Sequence, residues 1–410
     1  MTATAAAAAV MVVAGCSGPA ADTTATATTA ADTEARAAVM IPAAPGDLDS
    51  GLFDTTPSHY PTAAGDPEVG GVVESQRMAE FLVLPAEIDP ALTEAKSDYT
   101  RPIFGPFPLA YLLDDGSAVV ERIGEDTGMY AGFSTARSTS DGKARMVHAV
   151  LQFRDAEAAS DAAVRLHEHL MDPDPPTPSY AFAHPVPAMP DSLIHAVDDG
   201  DSRRVTALTA HGHYLVYTFL AAPIDRASWV DQALEHALVR QLPLIEKFPY
   251  TTPAGLADLP VDIDELLHRT LPYPDEEGAA IPAVYGPRGA AHLLRQLDTL
   301  EVFEDTSATH MSRDGAFVYA TDFPDRAEHV FDRVVGQVRN QNTTISTTTA
   351  AGPAGVPDVR CFEVIPDLAA YGDGAVCVLL YDTLVAEIRT STLGSAHQAT
   401  TAQYRIFQAT

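Results

Sequence analysis

Two stretches of the chain resemble each other, and this internal repeat constrains the fold more than any other feature. Residues 104–113 (FGPFPLAYLL) align with residues 285–294 (YGPRGAAHLL). In each copy a Gly-Pro pair predicts a turn, and the apolar residues after it suit a short helix. Two copies of one structural unit are therefore expected, one in each half of the chain.

A second match follows in the same order. Residues 145–153 (RMVHAVLQF) parallel residues 316–323 (AFVYATDF), and an Asp-Gly pair that favours a turn stands upstream of each. Each segment reads as a strand that leads into an amphipathic helix. Asp155 and Asp325 stand where N-cap residues belong, because a carboxylate there accepts a free backbone N–H of the first turn. Catalysis by these two aspartates is the alternative, although capping explains both.

A third match completes the unit. Residues 204–209 and 214–220, joined by His211-Gly212-His213, predict a strand, a tight turn and a strand. We align them with residues 359–365 and 375–381, which a longer loop joins. A helix is predicted after each hairpin, at 228–242, limited by Pro243, and at 395–407.

The fold class that follows is α+β, with two tandem duplicated lobes. Each lobe is predicted to be a mostly antiparallel sheet with helices on one face. The expected organisation is a lipoprotein signal peptide at 1–16, a disordered Ala/Thr/Pro tether at 17–71 with order beginning near Val72, a first lobe at 72–248, a Pro-rich linker at 249–282 and a second lobe at 283–410, within which 340–358 forms a mobile loop.

The N-terminus resembles a bacterial lipoprotein signal. Val13, Ala14 and Gly15 precede Cys16 in the manner of a lipobox, and the uncharged run at 5–14 is too short to span a bilayer. We expect Cys16 to carry lipid and to anchor the protein to the outer face of the cytoplasmic membrane. No Lys or Arg precedes the apolar run, so the expected start lies upstream of Met1. The alternative is an Ala-rich terminus with an incidental cysteine.

Charge and cysteine content agree with export. The chain has 25 Lys plus Arg against 56 Asp plus Glu, a net charge of −31, which disfavours nucleic-acid binding. With Cys16 lipidated, Cys361 and Cys377 remain as an even pair in an oxidising compartment, and a disulfide between them is predicted.

A family resemblance rests on several of these segments together. They are the lipobox, the Thr/Ala tether, the ESQRMA segment at 74–79 running into Val83-Leu84-Pro85, the Gly-Pro helix starts and the Phe-x-Asp junctions at 153–155 and 323–325. Together they resemble an actinobacterial lipoprotein family, with nocardial and mycobacterial members, that is defined only as a domain of unknown function. The resemblance covers most of the chain and implies fold and location. It carries over no catalytic residues.

No motif for a known chemistry is present in the sequence. Gly-x-Ser-x-Gly, phosphate-binding Gly-rich loops and His-Glu-x-x-His are all absent, and no cofactor is predicted. His211 and His213 are the candidates for a metal site, although Gly212 explains the turn and no further ligand is evident. His167 and His169 are expected to face solvent on different sides of a helix. His148 is expected to lie on a solvated sheet face, and a ligand-facing role is the alternative.

The function expected from these observations is binding, or support of an envelope complex, through a groove between the lobes. The ligand classes considered are a small molecule, a lipid and a peptide. An envelope hydrolase with a site assembled in the same cleft is the alternative, and a purely structural interaction module is the third. The sequence does not decide the oligomeric state.

Overall fold

The structure is a computed structural model that describes residues 48–96, 99–113, 118–172, 181–273, 281–340, 346–364 and 374–410. The lipobox with Cys16, and the tether as far as residue 47, lie outside the described residues. No helix in the described ranges combines the length and the apolar character that a membrane span needs.

The described residues form ten α-helices and fifteen strands. The helices are α1 Pro67–Met78, α2 Pro85–Ile88, α3 Pro106–Leu112, α4 Ala118–Thr127, α5 Ala156–Met171, α6 Ala227–Ile245, α7 Pro287–Leu293, α8 Leu297–Thr306, α9 Pro324–Arg339 and α10 Leu393–Ala409. The strands are β1 Glu94–Ala95, β2 Arg101–Pro102, β3 Met129–Ser138, β4 Arg145–Phe153, β5 Ala181–Ala183, β6 Leu193–Asp199, β7 Ser202–His211, β8 Tyr214–Pro223, β9 Ala283–Tyr285, β10 His310–Arg313, β11 Phe317–Ala320, β12 Thr347–Ala350, β13 Val359–Val364, β14 Ala375–Tyr381 and β15 Leu384–Thr390.

The strands build two antiparallel sheets, one in each lobe. The first has the order β1-β3-β4-β8-β7-β6-β5, and β2 also pairs with β3. The second has the order β12-β13-β14-β15-β11-β10-β9. The predicted α+β fold with two tandem lobes is confirmed.

The two lobes repeat one topology. The path β2-β3-β4-β8-β7-β6-β5 in the first sheet corresponds strand by strand to β9-β10-β11-β15-β14-β13-β12 in the second. Helices α3, α4, α5 and α6 occupy the same places in chain order as α7, α8, α9 and α10. This identity of topology supports duplication more strongly than the sequence matches do.

The alignment of the hairpins needs a correction of one strand. The counterpart of β7 and β8 is β14 and β15, because β8 pairs with β4 as β15 pairs with β11. The sequence alignment pairs β7 and β8 with β13 and β14 instead. Strand β15 was missed because its turn carries Asp382 and Thr383, and Asp382 adopts a positive φ of 49° without a glycine.

Helices cover both faces of each sheet, where the sequence predicted one. On β4, Val147 and Ala149 pack with α5, whereas Met146 lies in the cluster that α6 covers. In the second lobe Val385 packs with α9, and its neighbour Ala386 packs in the cluster that holds α10. Alternate strand residues face opposite sides, so each sheet is the middle layer of three.

The two lobes share one apolar core. Met78, Leu82 and Phe133 of the first lobe belong to the same buried cluster as Tyr285 and Val330 of the second. Polar contacts cross the same boundary: Arg288 on α7 binds the Glu87 carboxylate through both Nη atoms, at 2.7 and 3.1 Å. The described lobes therefore pack directly on each other.

A second bridge between the lobes uses a buried arginine. Arg137 on β3 donates through Nη2 to the carbonyl oxygens of His292 and Leu294, at 2.6 and 3.0 Å. These carbonyls end α7, where the helix dipole favours a cation.

Several boundaries differ from the predicted ones. Helix α1 begins at Pro67, inside the predicted tether, because Asp66 caps it. Upstream, Leu48 is buried and the Tyr60 hydroxyl donates to Asp314 at 2.8 Å, so this part of the predicted tether packs on the second lobe. Asp155 is an N-cap as predicted, but Asp325 is not: Phe323 precedes α9 and Asp325 stands in its first turn.

Three further segments are more ordered than predicted. Pro243 lies inside α6 rather than limiting it. The predicted linker contributes Leu266 and Leu271 to the core of the second lobe. Strand β12 lies within the predicted mobile loop, whose residues 341–345 are outside the described ranges.

Candidate functional site

A cavity of about 200 Å³ lies where the two lobes meet. Its lining combines polar side chains with aromatic and aliphatic ones from both lobes: Gln76, Arg77, Glu80, Phe81, Phe248, Pro249, Ile263, Val284, Tyr285 and His310, with Gly286 and Gly289. The cleft expected from the sequence is thus present as a small, partly apolar cavity.

One wall comes from the end of α1 and the 3-10 turn that follows it. Asp66 accepts the Glu68 N–H at 2.7 Å, and Pro67 starts the helix with no amide donor to satisfy. Gly70 lets α1 pack closely against the backbone at Leu256, because a Cβ at position 70 would overlap the Leu256 carbonyl. This packing positions Arg77 and Glu80 at the lobe boundary.

The opposite wall is the turn between β9 and α7. Oε2 of Glu80 accepts the Gly289 N–H at 2.9 Å, which satisfies a free donor in the first turn of α7. A Cβ at Gly286 would lie 2.8 Å from the same oxygen, so a side chain there would require the Glu80 carboxylate to shift. Burial raises the pKa of Glu80, and the backbone donors of Gly289 and Arg288 oppose that shift.

Arg77 is held by neighbours of its own lobe. It forms an ion pair with buried Glu74 and donates to Thr251 Oγ1 at 2.9 Å and to the Pro249 carbonyl at 3.1 Å. Its guanidinium lies 5.6 Å from the ring centre of Phe248. Burial raises the pKa of Glu74, and hydrogen bonds and the Arg77 charge counter it.

His310 completes the polar lining. Its Nδ1 lies 3.4 Å from the Asp264 carboxylate, and its charge when protonated would lower the pKa of Glu80. Among the described residues that line the cavity, none is Ser, Thr, Cys or Lys. The cavity therefore offers a desolvated carboxylate, an imidazole and aromatic walls.

The structure places the candidate metal residues His211 and His213 away from this cavity. Both flank Gly212 at the β7–β8 turn, where His211 Nε2 lies 3.1 Å from the Glu246 carboxylate. The His213 ring contacts Tyr214 and Tyr250, with centroid distances of 4.0 and 4.2 Å. Neither histidine belongs to a cluster of three metal-binding side chains in the described part of the chain.

The cluster of that kind found there contains Cys361, Cys377 and His397. The two sulfur atoms are bonded to each other, as predicted, and a disulfide supplies no thiolate to a metal. Cys361 and Cys377 lie directly opposite each other on β13 and β14, with Cα atoms 4.1 Å apart. The cluster is thus a staple between neighbouring strands.

Three histidines are more buried than the sequence indicated. His148 is fully buried, and its ring nitrogens lie 2.9 Å from Thr218 Oγ1 and from Gln241 Oε1. The predicted solvated face was wrong because α6 covers it. His169 is also buried, and His167 is half-buried against His195.

Residues 61–261 match the N-terminal domain of DUF7373, a domain of unknown function, and residues 266–409 match its C-terminal domain. The chain belongs to the DUF7373 family. The predicted membership of a family defined as a domain of unknown function is confirmed. No curated protein sequence matches this DUF7373 chain.

A solved structure with similarity is the extracellular domain of PknH from Mycobacterium tuberculosis. The two share 12% sequence identity over 42% of this chain and 97% of that one, with a TM-score of 0.28.

Proposed function

We propose that this DUF7373 protein is a lipid-anchored, extracytoplasmic binding protein whose ligand enters the cavity between the lobes. The ligand we propose is small, with an apolar body and an amine or other hydrogen-bond donor. The observation that carries the proposal is the desolvated Glu80 carboxylate beside the Phe81 and Phe248 rings, whose centres lie 5.2 Å apart.

The size of the cavity favours a small ligand over a lipid or a peptide. Pockets for drug-sized molecules span about 300–1,000 Å³, and this cavity measures about 200 Å³. An acyl chain or several peptide residues would exceed it.

Charge favours a cationic group on that ligand. The chain carries a net charge of −31, which raises the local concentration of cations. Glu80 uses Oε2 for the Gly289 N–H, and a carboxylate has further lone pairs that accept hydrogen bonds.

The hydrolase alternative lacks support from the described lining. The lining holds Glu80 and His310 without Ser, Thr, Cys or Lys, so covalent catalysis by a hydroxyl of Ser or Thr, a thiol or an amine has no candidate there. We therefore propose binding as the function of the cavity.

Benzylamine is a suitable probe, because it joins an apolar ring to an ammonium group. We expect a titration followed by amide NMR to shift resonances of residues 284–289, with benzyl alcohol binding more weakly and benzoate not at all. Glu80→Gln keeps an oxygen that accepts the Gly289 N–H and should weaken benzylamine at least about tenfold. Glu304→Gln, on the exposed surface of α8, is the matched control and should bind as the wild type does. Tighter binding of benzoate, or shifts only elsewhere, would refute the proposed ligand class.

The anchor is tested separately. With lipid on Cys16, the processed protein should be found in the membrane fraction. The Cys16→Ala protein should be found in the soluble fraction instead. Mass spectrometry of the N-terminal peptide should show a diacylglyceryl cysteine. Continued membrane attachment of the Cys16→Ala protein would contradict the lipid anchor but leave the binding proposal standing.

A further inference from the structure

Two histidines from different elements meet on the first lobe. His167 lies on α5, and His195 lies on β6 on the sheet face that α5 covers. Their Nδ1 atoms are 3.3 Å apart, and their ring centroids are 5.2 Å apart. His195 is 4% exposed, whereas His167 is half-buried and open to solvent on one side. These residues do not line the interlobe cavity.

The nitrogen separation matches the spacing of two ligands on a tetrahedral metal ion. Two imidazole nitrogens bound at 2.0–2.1 Å to tetrahedral zinc lie about 3.3–3.4 Å apart. The distance of 3.3 Å between the two Nδ1 atoms falls in that range.

The ring positions provide a second, independent comparison. An imidazole nitrogen lies about 1.15 Å from its ring centre, so two rings that converge on one tetrahedral ion have centroids about 5.2 Å apart. Rings joined by a straight N–H···N bond of the same nitrogen separation would have centroids about 5.6 Å apart. The centroid distance of 5.2 Å agrees with the converging arrangement.

We propose that Nδ1 of His167 and Nδ1 of His195 together bind a zinc-like divalent ion, with water in the remaining positions. The exposed part of the half-buried His167 ring gives the ion and its waters access to the site. Imidazole nitrogens select borderline ions such as Zn²⁺ over Mg²⁺ and Ca²⁺. Catalytic zinc sites have three protein ligands and one open position, so a site with two protein ligands leaves more positions to water and should hold the ion less tightly.

The test is a calorimetric titration of the metal-free full-length chain, without an affinity tag, with Zn²⁺. We expect one site of highest affinity that Mg²⁺ and Ca²⁺ do not occupy. His195→Gln and His167→Gln should each weaken it at least about tenfold, since even loss of an outer partner costs a site 10–100-fold. The matched control is His211→Gln, at the β7–β8 turn, which should retain the wild-type affinity.

A second readout removes dependence on the variants' folding. In the wild type, Zn²⁺ should shift the ¹⁵Nδ1 resonances of His167 and His195 at one equivalent, ahead of the other histidines. Unchanged resonances of these two rings, or loss of the site in His211→Gln, would overturn the proposal.

Discussion

Glu387 on β15 is fully buried between two arginines, and replacing it tests how the second lobe is held together. Its carboxylate accepts from Arg295 Nη2 at 2.8 Å and from Arg389 Nε at 2.8 Å. Burial alone would raise the pKa of Glu387, but the two guanidinium groups lower it to about 2. The charged form is therefore strongly favoured in the folded chain.

The magnitude follows from linkage. A shift from the ordinary 4.5 to about 2 corresponds to about 3 kcal/mol of stabilisation at neutral pH, at about 1.4 kcal/mol per pKa unit. Removing one partner of a buried ion pair typically costs about 3–5 kcal/mol, because the remaining charges stay desolvated. We expect Glu387→Gln to lower the free energy of unfolding by about 3 kcal/mol at pH 7.

The assay is urea unfolding of both proteins followed by circular dichroism between pH 7 and pH 2. Because the pKa is lowered in the folded state, this stabilisation is complete above pH 4.5 and disappears as the pH falls toward 2. The difference between wild type and Glu387→Gln should shrink over the same window.

The matched control breaks an exposed ion pair instead of a buried one. Arg333 Nη2 lies 3.2 Å from Glu301 Oε2 on exposed helix surfaces. Glu301→Gln should change the free energy of unfolding by less than about 1 kcal/mol. Equal effects of the two substitutions, or a Glu387→Gln effect that does not vary with pH, would refute the reasoning.

Three further predictions concern the fold. Replacing both Cys361 and Cys377 by Ala opens a loop with a sequence separation of 16 and should cost about 3 kcal/mol in denaturant unfolding; reduced wild type should match the variant, and a loss under 1 kcal/mol would contradict this. Gly70→Ala should lower the melting temperature, because the added Cβ would overlap Leu256. Gly336→Ala, on α9, is the control: its Cβ would meet open space, and the substitution should stabilise the folded protein by about 0.4–1 kcal/mol. An unchanged melting temperature of the Gly70→Ala protein would show that α1 does not pack as described. Burial lowers the pKa of His148 to about 4, so the stability that neutral His148 contributes should fall as pH drops from 6.5 toward 4; NMR titration of its ring with a midpoint near 6.5 would contradict this.

Much of the fold could be predicted because turn chemistry marks it locally. The Gly-Pro starts of α3 and α7 and the Asp-Gly turns at 141–142 and 314–315 lie where the sequence placed them. Strand β3 was harder to place, although the turn at 141–142 follows it, because both of its faces are buried and it shows no apolar alternation. Strand β15 was not predicted, because the turn before it contains no glycine.

The candidate sites could not be predicted in the same way, because they join residues far apart in the chain. Glu80 meets Gly289 only because α1 packs against the turn that follows β9. His195 belongs to no sequence motif, and the i,i+2 spacing of His167 and His169 places these two side chains on different sides of a helix. Local spacing contains no information about such pairs. The one distant pairing that the sequence did reveal, Cys361 with Cys377, followed from counting cysteines rather than from spacing.

Blocking the interlobe cavity tests the central proposal most directly. Ile263 lines the cavity and is partly exposed, so Ile263→Trp should occupy the space without opening the core. Val239→Trp, on the exposed surface of α6, is the matched control. We expect benzylamine to bind the wild type and the Val239→Trp protein alike and to bind Ile263→Trp at least about tenfold more weakly. Unchanged binding to a folded Ile263→Trp protein would show that the cavity between the lobes is not the ligand site.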